Sequence, residues 1–555
     1  MLNAERTVHQ SATQSALRSL LWVAAAGLVG AAVACAPATD PQQPQPAQTK
    51  PEPPKAQDFK FDDFEDVKLT GVRFVPEGFG FPGMVRVVPR KKVDLEKQRK
   101  VFAKAKPDRQ PTEAKILVTL LWDESKKSAQ TDKDAAKALR EEARTALQAV
   151  QTAQAEKTDA IILQMLFTAH LWLGDDAGAI AAGTELLNRY GDSKSAQQLM
   201  PWVAFLHLRN WQTADAAKYT QGWKLDDPKM DYLRAYVLAW VGFRQRNYEA
   251  ARSAIVWAAK NWRSRATRLA LERDLVLILA RSGASVDDAT ALFAELAAGK
   301  IQTQYVWSYK LYEAYELAGY PKRAARALDA ALALKGDQAA PMERMGMLQR
   351  QSTQYLYSDE PDRAASAAIA AYQGLATCGE ACASQPDLSN GLAEHIVKLS
   401  SFFHTTFSVT LDTDYYGAAK KLYDFYLTLK REDVEKLRSY RTRLEETKQR
   451  STAASGKHDK KTMELAIGFH NQAIKACYES ILQGEPELKG AVKLTFSVAD
   501  TGAVTGAETE PAGGAEGLAA VGTCLQDRAR AWTFPSRTVK GTTVLSRSYQ
   551  LEPAP

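Results

Sequence analysis

The chain has 555 residues, 45% of them apolar, and this length exceeds what one hydrophobic core usually supports. Its 72 lysine and arginine residues against 65 acidic residues give a net charge of +7. Because both signs are mixed along the chain, the composition indicates neither a nucleic-acid-binding protein nor a protein held on anionic membranes by charge alone. We therefore expect several domains or an extended repeat array.

Residues 1–34 have the pattern of an export signal. Arg18 precedes an uncharged stretch, residues 20–38, that becomes rich in alanine and glycine towards Cys35. The sequence Ala-Val-Ala-Cys at positions 32–35 resembles a bacterial lipobox, in which small residues precede a cysteine that receives a diacylglyceryl group. The resemblance implies a lipoprotein-type signal peptide over residues 1–34 and lipidation of Cys35. An uncleaved transmembrane anchor and simple secretion remain as alternatives.

The next two segments contain little periodic structure. Residues 35–57 form a proline-rich linker, with seven prolines in 19 residues, and this composition favours an extended spacer. Residues 58–111 contain short alternating apolar runs, which predict two or three short strands or extended packing segments.

Residues 112–450 show helical periodicity and an internal repeat, which predicts an α-helical solenoid. The marker of the repeat is an alanine near the start of the second helix of each predicted hairpin, and successive markers are 35 to 40 residues apart. These repeat-packing positions are Ala179, Ala214, Ala251, Ala289, Ala324 and Ala364. The alternative is an alanine-rich helical bundle without a true repeat.

The clearest unit covers residues 311–331 and reads Leu-Tyr-Glu-Ala-Tyr-Glu-Leu-Ala-Gly-Tyr-Pro-Lys-Arg-Ala-Ala-Arg-Ala-Leu-Asp-Ala-Ala. This unit resembles the tetratricopeptide repeat (TPR). The resemblance implies that Leu311 and Tyr315 lie on the first helix, Gly319 at the turn and Ala324 on the second helix. Small residues at such positions allow two helices to approach closely.

The end of the array and the following segment are polar. Charges of alternating sign along residues 431–450 predict a solvated capping helix rather than a nucleic-acid-binding surface. Residues 451–462, rich in Ser, Lys and small residues, predict a hinge.

The five cysteines divide into one lipidation candidate and two pairs. If Cys35 carries lipid, the remaining four fall into the local groups Cys378 with Cys382 and Cys477 with Cys524. Such pairing is typical of disulfides in an oxidising periplasm. Zinc binding is the weaker alternative, because no second pair or histidine cluster lies near Cys378 in the sequence.

The C-terminal region, residues 463–555, predicts a small α+β domain. A helix over 463–482 is followed by a strand over 491–498 with period-2 alternation, a turn, and a second strand near Val504. A helix near 515–531 and a last strand complete the order helix, two strands, helix, strand. A disulfide between the two helices would close a loop of nearly 50 residues, worth about 2–4 kcal/mol.

Several motifs of this region recur in the order found in a known family. They resemble the C-terminal domain of the AgmX/PglI type, which is related to TonB C-terminal domains. The resemblance implies a periplasmic module that can add a strand to a protein partner, and it brings no catalytic residue. The motifs are Ala473-Ile-Lys-Ala-Cys477-Tyr-Glu479, Pro486-Glu-Leu-Lys-Gly490, Val492-Lys-Leu-Thr-Phe496, Gly502-Ala-Val504, Cys524 and Trp532-Thr-Phe-Pro535.

Motifs that would indicate an enzyme are absent from the sequence, including H-E-x-x-H, G-x-x-x-x-G-K-[ST] and G-x-S-x-G. His395 and His404 lie on one apolar stretch, where a packing role is favoured over metal ligation. We therefore predict no catalytic site, cofactor or metal.

Taken together, the sequence predicts a mainly α protein, a TPR-like α-solenoid with a small C-terminal α+β domain. The predicted function is a non-enzymatic scaffold, lipid-anchored in the periplasm at the outer membrane, that binds proteins of a gliding or envelope-transport machine and no nucleic acid. The alternatives are a TonB-type energy transducer with an uncleaved N-terminal anchor, and a cell-wall enzyme or its activator.

Overall fold

The computed structural model describes residues 56–76, 82–88, 93–155, 158–228, 230–264, 267–336, 340–379, 382, 385–450, 456–512 and 516–554. These residues belong to one compact unit that spans residues 54–555. The signal peptide predicted for residues 1–34, Cys35, and the proline-rich linker up to residue 55 lie outside the described residues.

The described residues form 21 α-helices and five β-strands, so the fold is mainly α, as predicted. In chain order they are β1 (Phe59–Phe61), β2 (Val67–Gly71), α1 (Leu95–Ala103), α2 (Gln110–Ser128), α3 (Lys133–Ala153), α4 (Ala160–Trp172), α5 (Asp176–Tyr190), α6 (Lys194–Arg209), α7 (Thr213–Thr220), α8 (Tyr232–Arg244), α9 (Tyr248–Asn261), α10 (Arg268–Arg281), α11 (Val286–Ala297), α12 (Ile301–Leu317), α13 (Pro321–Lys335), α14 (Pro341–Tyr357), α15 (Pro361–Cys378), α16 (Pro386–Thr410), α17 (Thr413–Tyr426), α18 (Val434–Arg450), α19 (Lys460–Phe469), α20 (Asn471–Leu482), β3 (Gly490–Ala499), β4 (Val504–Ala512), α21 (Glu516–Ala529) and β5 (Thr542–Pro553).

Helices α2 to α17 form a solenoid in which a first and a second helix alternate. Six consecutive hairpins, from α4/α5 to α14/α15, turn in the same way, with one residue in the left-handed region between the helices. In each turn, the N–H of the residue that follows the left-handed residue donates to the carbonyl of the residue five positions before the donor. This is the Schellman arrangement. The left-handed residues are Gly174, Trp211, Arg246, Gly283, Gly319 and Asp359.

Five of the six predicted packing alanines lie at the same helical position, and the sixth, Ala214, does not. In α5, α9, α11, α13 and α15 the predicted alanine is the fourth residue of the helix and is buried. In α7, however, Ala214 is exposed, and the fourth residue is the fully buried Ala216. The prediction for Ala214 was wrong because Thr213 begins the helix one residue before it, so that Ala214 faces solvent. The positions that pack as predicted are Ala179, Ala251, Ala289, Ala324 and Ala364.

The C-terminal region follows the predicted order of elements. Strand β3 pairs antiparallel with β4 and with β5, and the β3–β4 turn has Gly502 at φ +83°. Helices α20 and α21 pack on this sheet. The single helix predicted over 463–482 is instead two helices, α19 and α20, which meet at His470.

The segment predicted as residues 58–111 is not a separate extended region. Strands β1 and β2 both pair parallel with β5, which makes them part of the C-terminal sheet. The same segment also contains α1, a nine-residue helix that begins after the N-cap Asp94. Parallel pairing between distant strands has no local sequence signal. The predicted C-terminal domain, which began at residue 463, therefore lacked these two strands of its sheet.

The described part of the predicted hinge, residues 456–462, is held in place on both sides. The Lys457 N–H donates to the carbonyl of Val409 in the array, and the Val539 N–H donates to the carbonyl of Gly456. Helix α19 begins at Lys460 within the same segment. Residues 456–462 are therefore anchored to the array and to the C-terminal domain, in contrast to the predicted hinge. Residues 451–455 lie outside the described residues.

Candidate protein-binding surfaces

One edge of the solenoid is formed by the turns between the first and second helices, and we call it the turn edge. Helices α20 and α19 lie along this edge in the direction opposite to the repeats. Successive contacts join Gly484 to Arg244, Ser480 to Tyr248, Glu479 to Arg281, Ala473 to Gly319, Phe469 to Tyr357 and Lys457 to Val409. The C-terminal domain is therefore docked on the array over five consecutive hairpins.

Residues 72–76 and 82–88, which we call the strap, contact the same edge. Near the C-terminal sheet, the Val72 N–H donates to Glu479 and the Phe74 N–H donates to Gln483. Further along, the indole N–H of Trp172 donates to the carbonyl of Pro82 at 3.3 Å. The strap thereby links the C-terminal sheet to the earlier hairpins of the array.

A buried ion pair lies at the centre of this docking. The Arg281 guanidinium donates to Glu479 at 2.5 Å, and both side chains are less than a tenth exposed. Arg281 also donates to the carbonyls of Leu317 and Ala476, so that it joins two hairpins to α20. Because a buried charge is costly without its partner, loss of either side chain would destabilise this docked arrangement.

Arg244 is a second buried cation at the turn edge. Its guanidinium lies 4.0 Å from the ring centroid of Trp211, the left-handed turn residue of the preceding hairpin, and donates to the carbonyl of Leu208 and that of Phe74 in the strap. Burial lowers the pKa of Arg244 to about 9. Cation–π stacking and carbonyl acceptors hold this charge in place.

Three described histidines form hydrogen bonds between separate parts of the chain. His395, for which sequence favours packing, shares a hydrogen bond with Ser352 at 3.2 Å, and His404 shares one with Tyr423 at 3.2 Å. In the C-terminal domain, His458 is 1% exposed and lies between Thr543 Oγ1 and the carbonyl of Pro535, each 2.8 Å from a ring nitrogen. Burial lowers the pKa of His458 to about 4.

The structure joins the cysteines as two disulfides. Cys477 on α20 is linked to Cys524 on α21, which fixes the helix on the turn edge to the last helix of the C-terminal domain. Cys378 at the end of α15 is linked to Cys382, and Cys382 is buried.

The opposite edge of the solenoid carries exposed apolar side chains. Leu269, Ile301 and Met342 lie at the first or second position of α10, α12 and α14, and they are 74%, 58% and 42% exposed. Each first helix runs from this edge to the turn edge, so the three residues mark the same end of three consecutive hairpins. An exposed apolar row on a repeat protein is typical of a protein-binding surface.

The sheet offers a second surface at β4. Among the described strands, β4 pairs with β3 alone, whereas the far side of β5 already pairs with β1 and β2. Exposed Glu508 and Glu510, together with Pro511, are features that natural edge strands use against uncontrolled self-association.

The residues that the structure describes contain no group of three or more metal-ligand side chains. In the same part of the chain, no helix is both long and apolar enough to cross a membrane.

Neither a protein-family model nor a curated protein matches the chain. One similar solved structure is a tetratricopeptide repeat protein from Parabacteroides merdae ATCC 43184, with 16% identity, 50% of this chain and 98% of that chain covered, and a TM-score of 0.29. Another is a circular tandem repeat protein with novel repeat topology, with 16% identity, 71% and 90% covered, and a TM-score of 0.16. Both TM-scores are below 0.5. The six recurring hairpin turns of the chain itself define it as a helical-repeat protein.

Proposed function

We propose that the chain is a non-enzymatic scaffold that binds partner proteins of a bacterial envelope machine. The observation that carries this proposal is the exposed row of Leu269, Ile301 and Met342 on an array whose turn edge is braced by α19, α20 and the strap. A repeat array held along one edge presents its other edge as a fixed surface, which lowers the entropic cost of binding.

The proposed setting is the periplasm, with the chain attached to the outer membrane through lipid on Cys35. The disulfides Cys378–Cys382 and Cys477–Cys524 support an oxidising compartment, and the export-signal pattern of residues 1–34 supports secretion. Gliding motility or envelope transport is the process suggested by the AgmX/PglI resemblance.

The same resemblance suggests a second binding site by strand addition at the C-terminal sheet. Strands β1 and β2 cover the far side of β5, so the partner strand would have to join β4. Backbone hydrogen bonds would supply affinity there, and the alternating side chains of β4 would supply specificity.

The alternative function is a TonB-type energy transducer with an uncleaved N-terminal anchor. One structural observation favours it: β1 lies only a few residues after the proline-rich linker, so a pull on the linker would reach β5 directly. Mass spectrometry of the mature N-terminus separates the two functions. A lipid-modified Cys35 excludes the transducer, and an intact Met1 excludes the lipoprotein.

The scaffold proposal is tested by affinity capture from crosslinked envelopes with the full chain as bait. We expect the wild type to enrich a reproducible set of envelope proteins, and the triple variant Leu269→Gln, Ile301→Thr, Met342→Gln to lose most of them. Val88→Thr is the matched control, because Val88 is 75% exposed but lies in the strap. Recovery of no envelope protein above background by the wild type would show that the proposal is wrong.

A further inference from the structure

A shallow apolar depression lies where α9, α10, α11 and α12 meet. Its floor includes the buried side chains of Trp307 and Leu275, and its walls include the half-buried Trp262 and Leu296. The indole N–H of Trp262 already donates to the carbonyl of Ser264 at 3.0 Å. The floor and these walls therefore offer a ligand apolar surface rather than hydrogen-bond donors.

The depression exists because α9 carries a small residue where most comparable second helices carry a large one. Eight residues after the marker alanine of the repeat, α9 has Ala259, which lines the depression. At the same position the other helices have Leu187 in α5, Leu332 in α13 and Tyr372 in α15, whereas α11 has the buried Ala297. A leucine in place of Ala259 would occupy space that α9 leaves open.

The depression adjoins the exposed apolar row. Leu269, which is 74% exposed, stands in α10 between the lining residues Arg268 and Leu271. Ile301, which is 58% exposed, begins the helix that also carries Trp307. A partner that covers the row would therefore meet the depression, and a well-packed apolar pocket is where most of the binding energy of an interface is concentrated.

Arg268 gives the rim of the depression a free cationic group. Its guanidinium lies 6.0 Å from the ring centroid of Trp307, and its Nε donates to Glu272 at 3.0 Å. Within the part of the chain that the structure describes, the two Nη atoms of Arg268 have no hydrogen-bond acceptor. The Arg268 side chain is 50% exposed but that of Glu272 only 13%, so the rim presents mainly positive charge to solvent.

Two further cations near the depression are exposed. Arg263 directly follows the lining residue Trp262, and Lys300 directly precedes Ile301. Neither Arg263 nor Lys300 forms an ion pair with another described residue. The charge around the depression is therefore complementary to an acidic ligand.

We propose that this depression is the anchor site for an acidic segment of a partner protein. One large apolar side chain of the segment packs against Trp262 and Trp307, and a neighbouring carboxylate accepts hydrogen bonds from the Nη atoms of Arg268. This inference rests on the proposed scaffold function and specifies the chemistry of the partner.

The first test is selection of a phage-displayed library of random peptides on the immobilised full chain. We expect the enriched sequences to share one large apolar residue, such as leucine, methionine or phenylalanine, with aspartate or glutamate beside it. The same selection on the Ala259→Leu chain should not enrich these sequences, because leucine occupies the anchor site. Enrichment of no acidic consensus by the wild type overturns the proposal.

The second test is a fluorescence-polarisation titration of a synthetic peptide with the selected sequence. We expect Ala259→Leu to weaken binding by about tenfold or more, since the apolar side chain loses its pocket. Arg268→Gln should also weaken binding by about tenfold, since it removes a charge-assisted contact. Binding to Ala259→Leu that is as tight as binding to the wild type overturns the proposal.

The matched controls for these two variants lie elsewhere on the array. Ala217→Leu makes the same change at a residue of α7 that is likewise half-buried against the core, and Arg326→Gln removes an arginine that is 52% exposed and pairs with Asp287. Both controls should bind the peptide like the wild type. Circular dichroism and thermal unfolding establish that each variant is folded, and if Ala259→Leu is not, the half-exposed Arg268→Gln carries the test.

Capture from crosslinked envelopes with excess peptide separates this inference from the scaffold function. We expect the peptide, and independently Ala259→Leu, to reduce the recovery of envelope proteins by the full chain. Undiminished recovery in both cases would leave the scaffold function standing and overturn the anchor site. Recovery of no envelope protein by the wild type would overturn both.

Discussion

Gly319 lies directly against Ala473, so that a β-carbon on Gly319 would fall 2.3 Å from the Cα of Ala473. Gly319 also has φ +69°, the left-handed conformation of the α12–α13 turn. The absence of a side chain at Gly319 is therefore required twice, once by the turn and once by the docking of α20.

Replacing Gly319 with alanine should separate these two requirements when it is compared with Gly174→Ala. Gly174 occupies the equivalent turn position at φ +76°, but nothing lies within 4 Å of a β-carbon there. We expect Gly174→Ala to cost about 1 kcal/mol from the left-handed backbone, and Gly319→Ala to cost about 1–3 kcal/mol more from the clash with α20. Urea denaturation measures both, and equal costs would contradict the close docking.

The burial of the Arg281–Glu479 pair leads to a second prediction, which concerns the stability of the chain without Glu479. Glu479→Ala leaves Arg281 buried without its counter-charge, and we expect the free energy of unfolding to fall by about 3–5 kcal/mol. Glu124→Ala is the control, because Glu124 pairs with Lys127 on the surface and should change stability by less than about 0.5 kcal/mol. A cost for Glu479→Ala as small as that of the control would mean that the pair is solvated.

The corrected register of α7 is tested by two leucine substitutions two residues apart. Ala216 is fully buried at the packing position, so Ala216→Leu should overpack the hairpin and cost about 1–3 kcal/mol. Ala214 is exposed, and Ala214→Leu should stay within about 0.5 kcal/mol of the wild type. Thermal unfolding of the two variants gives the answer, and the reverse order of costs would restore the register expected from sequence.

His458 predicts a dependence of stability on pH. Its pKa is lowered to about 4 in the folded chain by burial, against about 6.5 for an exposed histidine. Between these values the unfolded chain binds the extra proton, so the free energy of unfolding should fall with falling pH, by up to about 1.4 kcal/mol per pH unit for this residue. Burial acts in the same direction on His470, whose pKa is lowered to about 3.

The comparison of wild type with His458→Gln isolates this contribution. Above pH 7 the difference in unfolding free energy between the two proteins should be independent of pH, and below about pH 6.5 it should shrink as the wild type loses stability. Chemical denaturation at several pH values measures the difference. A difference that stays constant down to pH 4.5 would show that His458 is not held neutral.

Local sequence patterns were sufficient to predict the helical array and most of the C-terminal sheet. The spacing of small residues such as Ala324 and Ala364 reports a hairpin because both helices of a hairpin are close in sequence. The alternation from Val492 to Val498 likewise reports a strand with one buried face. Each signal lies within a short, continuous stretch of the sequence.

Contacts between distant segments could not be predicted in the same way. The pairing of Val67 with Tyr549 leaves no periodic signal in either segment, and the docking of Ala473 on Gly319 depends on surface shape. A polar segment such as 456–462 looks like a hinge in sequence, although His458 within it is buried.

The parallel pairing of β1 with β5 determines when the chain can finish folding. The Thr542 N–H donates to Asp58, 484 residues away in sequence, so this contact cannot form until nearly the whole chain is present. The repeats use neighbouring contacts, whereas Phe61 and Phe64 pack in the same core as β5 and must wait for residues 542–553. One of the earliest segments to be synthesised is thus among the last to acquire its partner, and a chain cut short before Thr542 would carry its defect at both ends.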